Sequence, residues 1–226
     1  MDITNRRLKE SAREYAFRII KKNIISLNLK PGSLVSENEL SIKLGLSRTP
    51  VREALIELSK SKVVEIYPQK GIYITLIDAK LVEEDWFLRL VLETAIVKIA
   101  CEVATEEDLV SLEANLQLQD FYLKNASPNN LLKLDDDFHG ILFSISNKER
   151  IHSMMNSMTI HFDRLRSLSL TTIKDIKIVS DHQLILDAIK SKDKVAGEEI
   201  MTKHLTRYRI DNEQLRAKYP DYYKYK

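Results

Sequence analysis

Three of the five histidines, together with one aspartate, have the residue types and spacing of a metal site. Asp135 and His139 are four residues apart in LDDDFHGIL, so both side chains project from one face of a predicted helix. His182 and His204 lie among apolar residues in later predicted helices, which turns their side chains inward. One carboxylate and three imidazoles suit a divalent ion such as Zn, Ni or Mn. A core in which these histidines are simply hydrogen-bonded fits the same pattern, and spacing alone leaves both interpretations open.

Neighbouring residues offer alternatives to this ligand set. Asp136 and Asp137 are also carboxylates, but the four-residue spacing favours Asp135 as the ligand. His152 and His161 fall outside the pattern, and nine residues apart in one predicted helix they point in opposite directions. We interpret these two histidines as ordinary surface or core residues.

A second group of residues has the chemistry to contact nucleic acid. In SRTPVREALIEL, Arg48 and Arg52 are one helical turn apart and share the face opposite an apolar stripe. A guanidinium presents a fork of donors that matches O6 and N7 of guanine in the major groove. The alternative is that both arginines form surface ion pairs with Glu53 or Glu57.

The predicted elements divide the chain into two domains. Residues 1–76 read as three helices followed by a hairpin formed by VVEIY and IYIT, which is the order of a winged helix-turn-helix. Residues 77–226 read as helices alone, so the predicted fold class is mainly α with an all-helical second domain. The helices of this second domain are predicted over residues 79–103, 105–125, 130–145, 148–167, 174–190 and 194–217.

Composition and charge narrow the class of protein. Among 226 residues, 44% are hydrophobic and only 5 are Gly and 5 Pro, which disfavours disorder, all-β folds and Rossmann-type enzymes. Residues 1–76 carry 14 Lys and Arg against 8 Asp and Glu, whereas residues 77–226 carry 21 against 25. The basic first part therefore suits a polyanion. A single cysteine, no apolar leader and no membrane span predict a cytoplasmic protein.

The first domain resembles a known family. LVSENELSIKLGLSRTPVREALIELSKSKVVEIYPQKGIYIT is similar, almost residue for residue, to the winged-helix domain of the GntR family of bacterial transcription regulators. The resemblance implies that Arg48 and Arg52 contact bases and phosphates and that Thr49 contacts the DNA backbone. It also implies that Lys70 and Gly71 form the wing tip that approaches the minor groove.

Residues 80–215 resemble the helical FCD domain of the FadR-type branch of that family. The similar stretches are RLVLETAIVKIA, DDDFHGILFSISN, DHQLILDAIKSKD and MTKHL. In metal-binding members the ligands are one Asp and three His in this order, which implies Asp135, His139, His182 and His204 here. All four residues of the metal-dependent branch are present.

The resemblance also implies an effector. Family members of this type respond mostly to organic acids or sugar acids, which can fill open positions on the metal. Arg89 matches an arginine common in the family and is the candidate to clamp the effector carboxylate. The alternative for Arg89 is an ion pair with Glu93, four residues later on the same helix.

Together these features predict a transcriptional regulator rather than an enzyme. We expect a homodimer that reads a pseudo-palindromic DNA operator, acts as a repressor and responds to a small carboxylate bound beside a divalent metal ion. One alternative is a DNA-binding protein whose metal is purely structural. Another is a metal-dependent hydrolase, although the sequence shows no separate general base. The last residues, YPDYYKYK, are interpreted as a solvated tail that could instead cover the helical bundle.

Overall fold

The computed structural model describes residues 1–173 and 177–224. Its first part is a winged helix, with a three-stranded antiparallel sheet in the order β1-β3-β2. The short strand β1 was not among the elements predicted from the sequence. The elements of this part are α1 (Ala12–Ile25), β1 (Leu34–Val35), α2 (Glu37–Leu44), α3 (Arg48–Lys60), β2 (Val64–Tyr67) and β3 (Gly71–Ile74).

The core of the winged helix forms from the apolar faces of its helices. In α3, Val51, Ala54, Leu55 and Leu58 are all buried, as their i, i+3, i+4 and i+7 spacing predicts. They pack in one cluster with the apolar face of α1. The opposite face of α3 is thereby left free for solvent or a partner.

The second part consists of helices that pack around α4, the longest of them. This helix contacts α6, α8, α9 and α10 and so lies at the centre of the bundle. The prediction of a mainly helical fold is confirmed. The helices are α4 (Ala79–Val103), α5 (Glu106–Lys124), α6 (Pro128–Ile145), α7 (Glu149–Met158), α8 (Ile160–Thr172), α9 (Ile178–Lys190), α10 (Lys194–Thr206) and α11 (Tyr208–Lys218), followed by a 3-10 turn at Pro220–Tyr222.

Several predicted helices have different bounds. The first helix of the winged helix, for which the apolar spacing from about residue 7 to residue 28 is the sequence signal, begins only at Ala12, where Ser11 and Glu14 form a capping box. The helix predicted over 148–167 is two helices separated at Thr159, and the one predicted over 194–217 is two separated at Arg207. The predicted start at 174 lies outside the described residues, and α9 is seen from Ile178.

The two parts of the chain are in contact beside Thr159, where α7 ends and α8 begins. Ile160, the first residue of α8, is fully buried within the core of the winged helix. Beside it, the Nε2 atom of His161 lies 3.0 Å from the carbonyl oxygen of Ser61. An uninterrupted helix could not turn Ile160 into that core, so tertiary packing overrides the local helical pattern here.

Residues 219–224, the described part of the tyrosine-rich stretch, are not the solvated tail expected from the sequence. Tyr223 is buried, and its backbone pairs with that of Ile77 between the two parts of the chain. Tyr223 buries its apolar surface here, and the backbone of Ile77, which belongs to neither β3 nor α4, supplies the hydrogen-bonding groups. The sequence does not reveal this contact. Within the described residues, no helix combines the length and apolarity needed to cross a membrane.

Candidate metal centre and nucleic-acid interface

Four side chains from three helices converge inside the bundle. Asp135 and His139 extend from α6, His182 from α9 and His204 from α10. One ligand atom from each residue lies within 4.8 Å of all the others. The Nε2 atom of His204 is 3.3 Å from Nε2 of both other histidines, and an oxygen of Asp135 is 3.4 Å from Nε2 of His182.

These separations suit a shared cation. In a coordination shell with bonds of about 2.1 Å, neighbouring ligand atoms lie roughly 3.0 to 3.4 Å apart. The alternative of a hydrogen-bonded core requires a proton on at least one of the facing Nε2 atoms. The partners of the outer ring nitrogens argue against such a proton.

Two of the histidines present their outer nitrogen to a hydrogen-bond acceptor. The Nδ1 atom of His182 lies 2.9 Å from the side-chain oxygen of Gln119. The Nδ1 atom of His139 is in close contact with the carboxylate of Glu93. An acceptor at Nδ1 keeps the proton of a neutral imidazole there, so the lone pair of Nε2 points to the centre.

The third histidine has a carboxylate in the corresponding position. The Nδ1 atom of His204 faces an oxygen of Asp181 at 3.5 Å, and Arg207 donates to the other oxygen of Asp181 at 2.7 Å. Burial would raise the pKa of Asp181, but His204 and Arg207 outweigh it and hold the pKa at about 2. Asp181 is therefore ionised, and its negative charge faces Nδ1 of His204, which favours a proton on that nitrogen.

Burial also keeps two of the histidines neutral. It lowers the pKa of His182 well below its ordinary value, and it lowers that of His204 to about 4 although Asp181 acts on His204 in the opposite direction. A neutral imidazole is the form that ligates a metal ion. The donor set, its separations and its protonation therefore all fit a divalent cation.

Glu93 connects this cluster with Arg89. The Nε atom of Arg89 donates to one oxygen of Glu93 at 2.5 Å, and the other oxygen contacts His139. Burial alone would raise the pKa of Glu93, but the charge of Arg89 and the contact with His139 hold it below its ordinary value. The ion pair considered as the alternative for Arg89 is thus formed.

Arg89 also borders a cavity of about 500 Å³ beside the cluster. The Nη1 atom of Arg89 is buried and has no hydrogen-bond partner among the described residues. Asp135 and His204 also line this cavity, so it opens onto the candidate metal ligands. Its other charged and hydroxyl-bearing lining residues are Arg166, Ser169, Thr172, Lys177, Arg207, Tyr208 and Asp211.

Arg166 is a site residue that the sequence analysis missed. Its guanidinium pairs with Asp135, with Asp136 at 2.8 Å and with Asp163 at 2.9 Å. The alternative carboxylate Asp136 is thus engaged with Arg166 outside the ligand cluster. The one signal in the sequence was the position of Arg166 among apolar residues in IHFDRLRSLSL. That position does not identify the partners of Arg166.

The two remaining histidines lie outside the cluster, as predicted, but on separate helices. His152 in α7 is hydrogen-bonded to Asn156 and stacks on Phe143. His161 in α8 contacts the winged helix through Ser61. Both are accounted for by packing.

The candidate DNA-contacting residues lie on the free face of α3 and at the wing. Arg48 and Arg52 are exposed at the start of α3, as is Thr49. Their partners are on α2 and not on α3, because Arg48 donates to Asn38 at 2.9 Å and Arg52 to Glu37 at 3.1 Å. The expected alternative pairs with Glu53 or Glu57 are therefore not the ones formed.

The wing places Lys70 and Gly71 at the turn between β2 and β3. Lys70 is exposed, and Gly71 begins β3 with a φ of 121°. A Cβ at Gly71 would lie 3.0 Å from the carbonyl oxygen of Val35, so strand packing already requires glycine at this position.

Comparison with known proteins establishes the family. The sequence matches the profile of the bacterial regulatory proteins of the gntR family over residues 13–74 and that of the FCD domain over residues 86–207. The chain belongs to the GntR family. In this chain the gntR match precedes the FCD match, which is the order of the two resemblances found in the sequence.

Named relatives of this GntR-family chain are transcriptional regulators. It is 29% identical to the HTH-type transcriptional repressor RspR of Escherichia coli (strain K12) over 208 residues, covering 92% of this chain and 91% of RspR. It is 25% identical to the gluconate operon transcriptional repressor of Bacillus subtilis (strain 168) over 181 residues, covering 77% and 74% of the two chains.

Solved structures have the same fold. The structure of E. coli McbR/YncC aligns with a TM-score of 0.80 at 22% identity, covering 90% of this chain and 98% of that one. The chain is thus a DNA-binding transcriptional regulator, and its family consists of regulators and not of enzymes. The hydrolase considered as an alternative is thereby set aside.

Proposed function

We propose that this GntR-family regulator is a homodimeric repressor whose affinity for its operator depends on a small organic acid or sugar acid. In this proposal residues 1–76 bind a pseudo-palindromic DNA site, and residues 77–226 dimerise and bind the effector beside a divalent metal ion. Because the regulator acts on DNA, we expect it to be located in the cytoplasm.

The observation that carries the effector proposal is that Arg89 lines the cavity and that its buried Nη1 atom has no hydrogen-bond partner among the described residues. A buried guanidinium nitrogen without a partner is costly, and a carboxylate satisfies it with a charge-assisted hydrogen bond. The volume of about 500 Å³ is sufficient for a small acid. Arg166, Lys177 and Arg207 add further cationic side chains to the wall.

We assign Asp135, His139, His182 and His204 as the metal ligands. A bound Zn, Ni or Mn would supply a fixed positive charge and open coordination positions for an effector oxygen. Glu93, Gln119 and Asp181 would hold the three imidazoles in the tautomer that ligates. The assignment is supported by the convergence of the ligand atoms in the buried core.

For DNA, we assign base and phosphate contacts to Arg48 and Arg52, a backbone contact to Thr49, and a wing contact to Lys70 and Gly71. The support is their exposure on the face of α3 opposite its buried stripe and at the tip of the hairpin. Arg48 is paired with the exposed amide of Asn38, and the exposed Arg52 is paired with the half-buried carboxylate of Glu37. Phosphates and base edges can replace such contacts of exposed arginines.

Helix α8 provides the physical connection between effector and DNA. Phe162, Leu165 and Arg166 line the cavity, whereas Ile160 is embedded in the core of the winged helix. A shift of α8 on effector binding therefore moves the winged helix with it. A coupling of about 1–3 kcal/mol between the two sites is typical of such regulators.

The chemistry of one relative supports the class of effector. The gluconate operon repressor of Bacillus subtilis carries the name of a sugar acid, and a sugar acid presents the carboxylate and hydroxyl groups that this cavity could bind. Ser169, Thr172 and Tyr208 supply hydroxyls in the cavity wall.

The test is a screen of organic acids and sugar acids against metal-loaded protein. Thermal shift identifies a ligand, and the affinity for an operator duplex selected in vitro is then measured with and without it. The proposal expects a ligand that changes operator affinity in the wild type and not in Arg89→Met. Lys98→Ala, an exposed change on the same helix, serves as the control and should respond like the wild type. Metal that raises the melting temperature without any responsive acid would support a purely structural metal.

A further inference from the structure

The tyrosine-rich residues 219–224 lie across the connection between the winged helix and the helical bundle. The amide of Ile77 donates to the carbonyl oxygen of Tyr222 at 2.8 Å, and the amide of Lys224 donates to the carbonyl oxygen of Ile77 at 3.0 Å. Ile77 and Tyr223 thereby form an isolated parallel bridge. Because Ile77 lies between β3 and α4, these bonds hold the chain where one part passes into the other.

Side chains reinforce this backbone pairing. Tyr223 is 3% exposed and packs in one cluster with Ile77 and Phe162. Lys224 forms an ion pair at 3.1 Å with Asp78, the residue that caps α4. The pairing is therefore an apolar contact with a polar clamp beside it.

The same connection is held from the opposite side by α8. The Nη2 atom of the fully buried Arg164 donates to the carbonyl oxygen of Thr75 at 2.5 Å. On the winged helix, a Cβ at Gly32 would lie 3.2 Å from Leu76 and 4.0 Å from the carbonyl oxygen of Asp221. Residues 75–77 are thus enclosed by the winged helix, by α8 and by the tyrosine-rich residues.

Helix α11 joins these residues to the effector cavity. Tyr208, Asp211 and Gln214 of α11 line the cavity, and the chain then continues through the 3-10 turn to the bridge at Tyr223. A displacement of α11 by a cavity ligand would therefore reach Ile77 over a short stretch of chain.

We propose that residues 219–224 act as a strap that fixes the orientation of the winged helix on the helical bundle. In a dimer, the distance between the two recognition helices must match the spacing of the half-sites on DNA. The strap therefore determines which spacing the protein binds. The DNA part of this inference rests on the proposed function, whereas the pairing with Ile77 does not.

The strap itself is tested by hydrogen exchange of the Ile77 amide, measured by NMR on the full-length protein. Tyr223→Ala and a variant ending at Lys218 should exchange at least about tenfold faster than the wild type. Tyr223→Phe is the matched control, because it removes a hydroxyl without a hydrogen-bond partner among the described residues, and should be unchanged. Unchanged exchange in Tyr223→Ala would overturn the proposal.

The consequence for DNA is tested with duplexes in which the selected half-sites are moved apart or together by one or two base pairs. The wild type should prefer the selected spacing by about tenfold or more, and the shortened variant should lose that preference while it still binds a half-site. A retained preference despite faster exchange at Ile77 would refute the strap.

Two further results separate folding and function from the strap. If the shortened chain does not fold, Lys224→Glu replaces it, since this change reverses the ion pair with Asp78 and leaves Tyr223 in place. It should also speed exchange at Ile77, and no change would count against the strap. If the wild type binds no specific DNA, the proposed function fails, and the exchange experiment still decides the strap.

Discussion

The carboxylate of Glu93 contacts Nδ1 of His139 and so stands directly behind a candidate metal ligand. Both side chains are almost completely buried, and the other oxygen of Glu93 is held by Arg89. A carboxylate in this position fixes the tautomer of the imidazole and makes it a stronger ligand. Arg89 on the cavity wall is thus connected to the candidate ligand His139 through Glu93.

Replacing Glu93 by Gln should weaken metal binding by about 10 to 100-fold, because the amide supports the ligating form of His139 less well. The affinity is measured by competition with a chelator of known strength, and circular dichroism confirms that the variant is folded. Glu102→Gln, an exposed change on the same helix, should keep the affinity of the wild type. Equal affinities for Glu93→Gln and the wild type would show that Glu93 does not position His139.

Arg48→Ala and Arg52→Ala should each weaken specific DNA binding by about 1–3 kcal/mol if the arginine reads a base. The affinity is compared by fluorescence anisotropy on the selected operator and on random duplex DNA at one salt concentration. Lys60→Ala at the far end of α3 is the control and should have a smaller effect. Equal losses on both DNAs would identify a phosphate contact instead.

The pH dependence of stability should reveal His161 at the junction of the two parts. Burial lowers its pKa to about 4, below the ordinary value of 6.5. Because the folded-state pKa is the lower one, the stabilisation is present above pH 6.5 and is lost as the pH falls towards 4. His161→Gln should lose less stability than the wild type between pH 7 and 4, by on the order of 3 kcal/mol. The free energy of unfolding is measured by urea titration at each pH. If its dependence on pH is the same for the wild type and for His161→Gln, the prediction is contradicted.

Ile160→Ala should destabilise the protein by about 2–4 kcal/mol, since it leaves a cavity in the core of the winged helix. The same change should reduce the coupling of the two parts, so that thermal unfolding separates into two transitions. Met158→Ala, two residues earlier and exposed, should alter stability by less than about 0.5 kcal/mol. A similar small effect at Ile160 would mean that α8 does not anchor the winged helix.

The sequence predicted those features that rest on local periodicity. Asp135 and His139 share a helical face because they are four residues apart, and the buried stripe of α3 leaves Arg48 and Arg52 outside for the same reason. The order of elements in the winged helix followed from capping, turn and strand signals of short range.

Features that arise from long-range packing were not predictable in this way. Gln119 reaches His182 across 63 residues, and Arg166 reaches Asp136 across 30. Nothing in the sequence around either residue identifies its partner. The burial of Tyr223 likewise depends on a backbone partner, Ile77, that lies far away along the chain.

The most direct test of the proposed metal site is the metal content of protein purified without a histidine tag, measured by elemental analysis. The wild type is compared with the His139→Ala, His182→Ala double variant, and with His152→Ala as a control outside the cluster. About one divalent ion per chain is expected in the wild type and in the control, and none in the double variant. Wild-type protein that stays free of metal after incubation with Zn, Ni and Mn would contradict it.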